Sequence, residues 1–533
     1  MSLRIAVVLA VVACACSAPP SGNDGGSGGG GGATGGGSTG GGATGGGSSA
    51  GGGAATGGGS ATGGGGSATG GGSATGGGGG GGGGGMTGPE YFVAPSGDDM
   101  NAGTMAAPFR TIQKGVTVAS ASGGTVTVRA GTYGEKVTIS GGGTGALLLR
   151  AAPGEAAIID GTGLTVSNGQ QGLITIDSRS DVTVNGFELR NFRSMNSAVP
   201  LGIYAFGSGS NLTLSNNHIH DIVTTVGSCN GNGGNAFGLA VYGSDAPAPW
   251  TNVVVTRNEL DHLTLGCSES LSINGNVDGF EVSFNNVHDT NNIGIVAIGF
   301  EGTCPMASLD QARNGVIRKN TVSDITSVGN PAYGTDASAD GIYVDGGKQI
   351  LIEQNVVRSV DLGIEIASEH SGKSSSYVLA RSNVISGSRQ AGISVGGYDN
   401  SVGNADHDVI LNNTLFDDTV ELQLQFHVSE VRVQNNVFFN ASAAYTSGSM
   451  TGVTQTTNLF RAGMAANTYV NAPNDLHLTP NLDSVALNGG TAFACPAMWT
   501  CPAVWGTALE GTQDAEGNPR VAGTAIDLGA YER

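Results

Sequence analysis

An asparagine returns along this chain with the same neighbours each time. It stands at Asn217 in LTLSNNHIHD, Asn258 in VVVTRNELDH, Asn286 in FEVSFNNVHD and Asn320 in VIRKNTVSD. It recurs at Asn355 in ILIEQNVVRS, Asn383 in VLARSNVISG, Asn413 in VILNNTLFDD and Asn436 in VRVQNNVFFN. The separations are 41, 28, 34, 35, 28, 30 and 23 residues, as one structural unit with insertions of varying length would give. Each unit reads as a period-two β-rich segment, a turn asparagine that tolerates the left-handed region, and a second short β-rich run. One unit cannot bury its apolar face alone, whereas stacked copies can. The expectation is an all-β solenoid whose long parallel sheets suit a long polymer.

The first residues, MSLRIAVVLAVVACAC, read as an export signal: Arg4 is the positive start, and Ile5 to Ala13 form an apolar run too short to span a bilayer. Val11-Val12-Ala13-Cys14 resembles a bacterial lipobox, so residues 1–17 are expected to be a lipoprotein signal peptide with lipidation at Cys14, Cys16 being the weaker site. Ala15 is not an acidic retention signal, which favours the outer membrane or cell surface. Residues 18–88 are almost entirely Gly, Ser, Ala and Thr, a composition that cannot bury a core and reads as a tether. Residues 89–533 remain as one large repeat domain, expected to be monomeric and to meet the membrane only through its lipid anchor.

The net charge of −20, with 22 basic residues against 42 acidic ones, makes nucleic acid and anionic lipid poor partners. Acidic balance in an exported protein fits Ca²⁺ binding. Of seven cysteines, Cys495 and Cys501 flank CPAMWTC and are expected to pair, with one further pair among Cys229, Cys267 and Cys304. No CxxC pair supports a zinc reading.

Residues 109–120, FRTIQKGVTVAS, have helical spacing, and TVTVRAGTYGEKVTI after them reads as two strands around a turn. The stretch from YFVAPSGDDMNAGTMAAP through these strands resembles the N-terminal cap of pectate-lyase-like right-handed parallel β-helix proteins. The asparagine repeats resemble that fold's internal ladder, and GNPRVAGTAIDLGAYER resembles the C-terminal segment of many bacterial surface β-helix proteins. The resemblance implies a right-handed parallel β-helix with a short capping helix. It implies no particular reaction, because the fold hosts lyases, hydrolases, epimerases and non-catalytic adhesins. The Asp/Arg motifs of the best-known pectate lyases are missing, as are the NTD…DG…HG…K series of polygalacturonases and the DPHD-type motif of alginate epimerases. No catalytic residue therefore carries over by position.

A second ladder begins each coil as G-I/L-x-x-x. Strand alternation puts Ile203, Leu239, Ile273, Ile295, Ile342, Ile364 and Ile393 inside. The outward neighbours become Tyr204, Ala240, Asn274, Val296, Tyr343, Glu365 and Ser394, then Phe206, Tyr242, Asn276, Ile298, Asp345, Ala367 and Gly396. Tyr343 should stack beside Glu365, with Asp345 on the order of 8 Å away between Cα atoms. Asp340, Glu369, His370 and Lys373 are expected at the same mouth, with Glu301 and Asp399 ending the flanking strands. Glycoside hydrolysis needs one protonated and one ionised carboxyl, and Asp345 with Glu365 is the best pair. Elimination from a uronate polymer would instead use Ca²⁺ on Asp345, Glu365 and Glu369, with Lys373 or His370 as base. Tyr204, Tyr242, Tyr343 and Tyr398, with Asn274 and Asn276, are the expected sugar contacts. Against this, a carboxylate on such a face is by default merely solvated, and Lys373 lies in the polar loop HSGKSSS. GISVG at 392–396 matches GxSxG but lies in a repeating strand, without the strand-to-helix elbow a serine hydrolase needs. The functional expectation is a surface-anchored polysaccharide-binding and polysaccharide-cleaving enzyme; the alternative is a glycan-binding adhesive protein or a spacer.

Overall fold

The computed structural model describes residues 88–143, 145–229, 234–439, 445–446, 450–461, 469–472, 474–479 and 485–533. Cys14, Cys16 and the glycine-rich segment through residue 87 lie outside the described residues. No described helix is long and apolar enough to cross a membrane.

The chain winds as a right-handed parallel β-helix, the handedness that parallel crossovers adopt. Each coil contributes one strand to each of three parallel sheets, which hold 16, 12 and 11 of the described strands. In the regular coils the sequence runs first-sheet strand, two-residue turn, second-sheet strand, loop, third-sheet strand, loop. One coil shows the order: Gly209–Ser215, His218–Thr224 and Phe237–Gly243. Inward side chains of all three sheets share one core, in which Ile203, Leu239, Leu271, Ile295, Ile342, Ile364 and Ile393 are fully buried.

The two-residue turn explains the asparagines. Each inward amide oxygen accepts the backbone N–H of the preceding ladder asparagine, and each amide nitrogen reaches a carbonyl at the end of a first-sheet strand. Asn355 Oδ1 accepts Asn320 N–H at 3.0 Å, and Asn355 Nδ2 donates to Ile317 O at 2.9 Å and to Asn383 Oδ1 at 2.9 Å. The ladder runs through Asn217, Asn258, Asn285, Asn320, Asn355, Asn383, Asn413, Asn436 and Asn458. Two expectations are corrected. The member in FEVSFNNVHD is Asn285, because the ladder residue lies two before the inward apolar residue, here Val287. The left-handed residue is the one before each asparagine, as at Arg257 (φ 56°), Phe284 (φ 57°), Lys319 (φ 54°) and Thr457 (φ 52°). Such residues avoid this region in isolation, so the ladder hydrogen bonds hold them there.

The glycines opening the third-sheet strands have a packing cause. A Cβ at Gly341 would lie 2.5 Å from Val357 Cγ1 and 2.8 Å from Gly363 O, and one at Gly363 would lie 2.2 Å from Gly392 O. The column brings the second and third sheets together at that corner.

The cap forms as expected, with a helix at Ile112–Ser120 whose N-cap Thr111 accepts Lys114 N–H at 3.2 Å. The Glu135 carboxylate takes the N–H groups of Ile112 and Gln113. The following segment makes three strands where two were expected, Gly124–Val128, Gly131–Tyr133 and Val137–Ser140, one for each sheet. At the other end, residues 485–533 fold back over the outer faces of the first sheet, around Trp505, and of the second, where Leu528 and Ala530 pack on Val384, Phe416 and Val437. Trp505 buries its indole on the first sheet and donates to Ile350 O at 3.2 Å, while Arg381 donates to the carbonyls of Trp505, Ala508 and Leu509. The Cys495–Cys501 disulfide closes this loop, and Cys229–Cys267 is the second bridge, with Cys304 free and buried.

Asn355→Ala removes the partner of Asn320 N–H and strands Ile317 O inside the core. At about 1–3 kcal/mol for each buried group left unpaired, we expect a loss of roughly 2–5 kcal/mol in urea unfolding. Thr213→Ala, on the outward row of the first sheet between buried Leu212 and Leu214, should cost about 1 kcal/mol or less; equal losses for the two would contradict the ladder's role.

Candidate functional site

The outer face of the third sheet changes character along its length. Its first half is aromatic: Tyr204, Phe206, Phe237 and Tyr242 pack on one another, with Tyr204 and Tyr242 each 8% exposed. Tyr204 also donates to Gln170 Oε1 at 2.5 Å. These rings are occupied as outer-face packing and offer no open face for a sugar. Tyr343 is likewise buried, beside Val296, Ile298 and Ala367.

The second half is acidic. Strand Asp340–Asp345 pairs with Leu362–Ala367 so that Tyr343 lies opposite Glu365 and Asp345 opposite Ala367, the predicted register. Two coils earlier the register departs from expectation by two residues. Leu271 takes the inward place assigned to Ile273, and Asn274 lies between Tyr242 and Ile298. Asn276 therefore falls beyond the strand, fully buried. Its Nδ2 donates to Asp245 O, and its Oδ1 accepts from Arg313. Its side chain is committed to fixing a turn. Ser272 occupies the outward row that runs through Tyr343, Glu365 and Ser394.

Asp340 is 2% exposed, and its carboxyl hydrogen-bonds that of Glu365, which reaches partly into solvent and also accepts Ser394 Oγ at 3.4 Å. Two carboxyl groups in contact require a proton between them. Burial, above all, pushes Glu365 up to about 7 and raises Asp340 well above the usual carboxylate range, with Glu365 adding to the rise of Asp340. Asp345 is also buried; desolvation raises it, followed by the charges of Glu369 and Glu301. Its Oδ1 accepts Glu369 N–H at 2.9 Å. Burial and the neighbouring Glu301 and Glu365 lift Glu369 to about 7.

The loops complete the cluster. His370 Nε2 meets Glu301 Oε1 at 3.1 Å, and this hydrogen bond raises the imidazole above its ordinary value. Tyr398, partly exposed, is pushed up to about 12 by burial and then by the carboxyls of Glu369, Asp399, Asp345 and Glu365. Glu269, which sequence reasoning passed over, is buried in the loop before the Leu271 strand, and desolvation with Glu301 and Glu369 lifts it to about 8. Its place two residues before Leu271 was visible only with the correct register. Lys373 departs from expectation, because its ammonium lies 5.1 Å from the Phe300 ring centre and makes no ion pair among the described residues. Glu301, Asp345 and His370 each offer a ligand atom, all within 4.8 Å of one another, a set able to hold a cation. It shares only Asp345 with the expected Ca²⁺ set of Asp345, Glu365 and Glu369.

No family model matches the chain. The chain is 37% identical over 360 residues to the uncharacterized protein YwoF of Bacillus subtilis, covering 66% of this chain and 75% of that protein. The chain belongs to the YwoF family. It is also 33% identical over 148 residues to pectate lyase PEL9 of Emericella nidulans, 25% of this chain and 33% of that protein. Among solved structures, pectate lyase Pel9A superposes with a TM-score of 0.49 at 15% identity over 84% of this chain and 98% of its own. The lacto-N-biosidase of Eubacterium ramulus gives 0.45 at 14% identity over 70% and 68%.

The raised carboxyls fix the sign of a pH effect. A group whose folded pKa exceeds its unfolded value binds its proton more tightly when folded, so its contribution is complete below the unfolded pKa and is lost as pH rises through the folded one. Glu365, Glu369 and Glu269, at about 7, 7 and 8, place that loss between roughly pH 4.5 and 8. We expect the melting temperature to fall by roughly 3–6 °C from pH 5 to pH 8, and the fall to shrink in Glu269→Gln/Glu369→Gln. A flat or rising profile in metal-free buffer would refute the assignment.

Proposed function

We propose that this YwoF-family chain is a surface-anchored enzyme that binds a polysaccharide along the third sheet and cleaves it by glycoside hydrolysis. The observation carrying the reading is the Asp340–Glu365 carboxyl pair, one member buried and the other reaching solvent with its proton retained near neutrality. Glu365 donates that proton to the glycosidic oxygen. Asp345, raised by burial in the free protein, activates water or attacks the anomeric carbon once it has given up its proton, a loss that the Glu369 N–H on its Oδ1 favours. Asp340, the more strongly raised of the two, keeps its own proton and donates it toward Glu365, so burial is what holds the Glu365 proton near neutrality. Tyr398 and Asn274 line the approach.

A second reading, Ca²⁺-assisted elimination from a uronate polymer, draws on the cation-competent set of Glu301, Asp345 and His370 and on the partial likeness to PEL9, named a pectate lyase. It ranks below hydrolysis because it lacks a free base. Lys373 lies over Phe300, and His370 is paired with Glu301. An acidic face also repels a polyanion unless a cation intervenes. Lipidation at Cys14 and the outer-membrane or cell-surface location belong to the same proposal and rest on the leader sequence alone.

The test is incubation with neutral and acidic polysaccharides, with and without Ca²⁺, reading new reducing ends and the ultraviolet absorbance of unsaturated products together. Reducing ends alone, lowered at least ~100-fold in kcat by Glu365→Gln with circular dichroism unchanged, are the expected result. Unsaturated products dependent on Ca²⁺ would establish elimination instead. Binding without turnover across the panel would make the protein an adhesive one.

A further inference from the structure

The second sheet carries a different chemistry on its outer face, away from the carboxyl cluster. Strands His218–Thr224, Glu259–Asp261 and Asn286–Thr290 stack in register, with His218 beside Glu259 and Asn286, and His220 beside Asp261 and His288. Ile219, Leu260 and Val287 between them point into the core, so alternation sends the polar members outward together. His218 Nε2 lies 2.7 Å from Asp261 Oδ2. His288 Nε2 lies 3.9 Å from the same oxygen and 3.4 Å from Glu259 Oε1. His218, Glu259 and Asp261 offer three ligand atoms all within 4.8 Å of one another.

We propose that this face binds one divalent transition-metal ion, of which Zn²⁺ is the best fit, through His218, Asp261, His288 and Glu259. Two imidazole nitrogens with two carboxylate oxygens select zinc or copper over the all-oxygen preference of Ca²⁺. Metal–ligand bonds of roughly 2.0–2.2 Å bring tetrahedral ligand atoms about 3.3–3.6 Å apart; the His218–Asp261, His288–Glu259 and His288–Asp261 spacings bracket that range, and His288 joins the close group of His218, Glu259 and Asp261 as the fourth ligand by moving in on the ion. The ring of His288 is already oriented. Its Nδ1 is held by Asp289 Oδ2 at 2.7 Å, which turns Nε2 toward Asp261 and Glu259. A carboxylate behind a ligating imidazole is the outer-shell arrangement of metal-bound histidines. Asp261 is 8% exposed in its side chain, whereas His218 at 40% keeps the site open to an entering ion. Asp261 Oδ1 is separately fixed by His262 Nδ1 at 2.5 Å.

Simple histidine–carboxylate ion pairing is the rival explanation, and metal titration separates the two. The full chain, stripped with chelator and dialysed, is titrated with ZnCl₂ by calorimetry, beside an Asp345→Asn/His370→Ala variant in which the third-sheet set is disabled. The expected result is one Zn²⁺ retained by that variant at micromolar affinity or tighter, weakened at least ~100-fold by adding His218→Ala or His288→Ala. Asp289→Asn, which touches no proposed ligand atom, should weaken it ~10–100-fold while leaving the metal-free melting temperature within a few degrees. Affinity no better than millimolar, or tight binding that survives His218→Ala/His288→Ala, would overturn the proposal.

Discussion

A parallel β-helix must turn its chain several times per coil inside a stack of identical turns, and each turn leaves backbone amides facing an apolar core. The ladder from Asn217 to Asn458 answers this in one place per coil. The side-chain amide completes the hydrogen bonds that the tight turn cannot make with itself. It also makes every coil depend on its neighbours, because each asparagine serves the backbone of the coil before it. The left-handed residues preceding them show how firmly the ladder holds. Phe284 and Thr457, ill suited to positive φ, take it because their neighbours fix the turn.

With backbone and core settled by inward residues, the outward residues are free to vary, and the three faces diverge. The first sheet is covered by the C-terminal segment around Trp505. The second carries histidines paired with carboxylates. The third begins aromatic and passes into a cluster of Glu269, Glu301, Asp340, Asp345, Glu365 and Glu369, with the His370 imidazole among them. Burying so many carboxyls opposes folding at neutral pH unless protons or a cation are taken up. Nothing in the solenoid requires them, since Val296 and Ala240 fill equivalent rows of the same sheet without charge. Stability is given up locally at the place where the outward face reaches solvent, which is the usual mark of a site whose groups are needed in particular protonation states.

The fold was legible in sequence because its determinants are inward, periodic and local. An asparagine before an apolar pair reads the same in every coil. Errors arose where the period carried no information. Two adjacent asparagines at 285 and 286 left a choice that only the inward Val287 resolves. In the coil at Leu271 the opening glycine column is filled by Ser270, so alignment on the apolar pattern alone slid by two residues. That slip moved Asn276 onto the face and hid Glu269, a good illustration of how register decides which side chains meet. The acidic half of the site survived because Gly341, Gly363 and Gly392 anchor their strands without ambiguity. Lys373 escaped prediction for another reason. Its loop position was clear, but the direction of a four-carbon chain depends on finding Phe300 from another coil.

The two polar faces differ in how they balance charge, and the difference follows from which residues alternate outward. On the second sheet the carboxylates around the histidine stack have an imidazole within reach: Asp261 beside His218 and His262, Glu259 beside His288, Asp221 beside His220. Charge there is matched in pairs, and the groups remain half open. On the third sheet one imidazole faces six carboxyls, so protonation must supply what pairing does not. A matched histidine–carboxylate face can exchange its protons for a metal ion with little rearrangement, because the imidazoles become ligands on losing their charge. An unmatched carboxyl face holds protons near neutrality and can hand one to an oxygen that comes within hydrogen-bonding distance. One solenoid therefore supports both behaviours, separated by the corner that the glycine column packs.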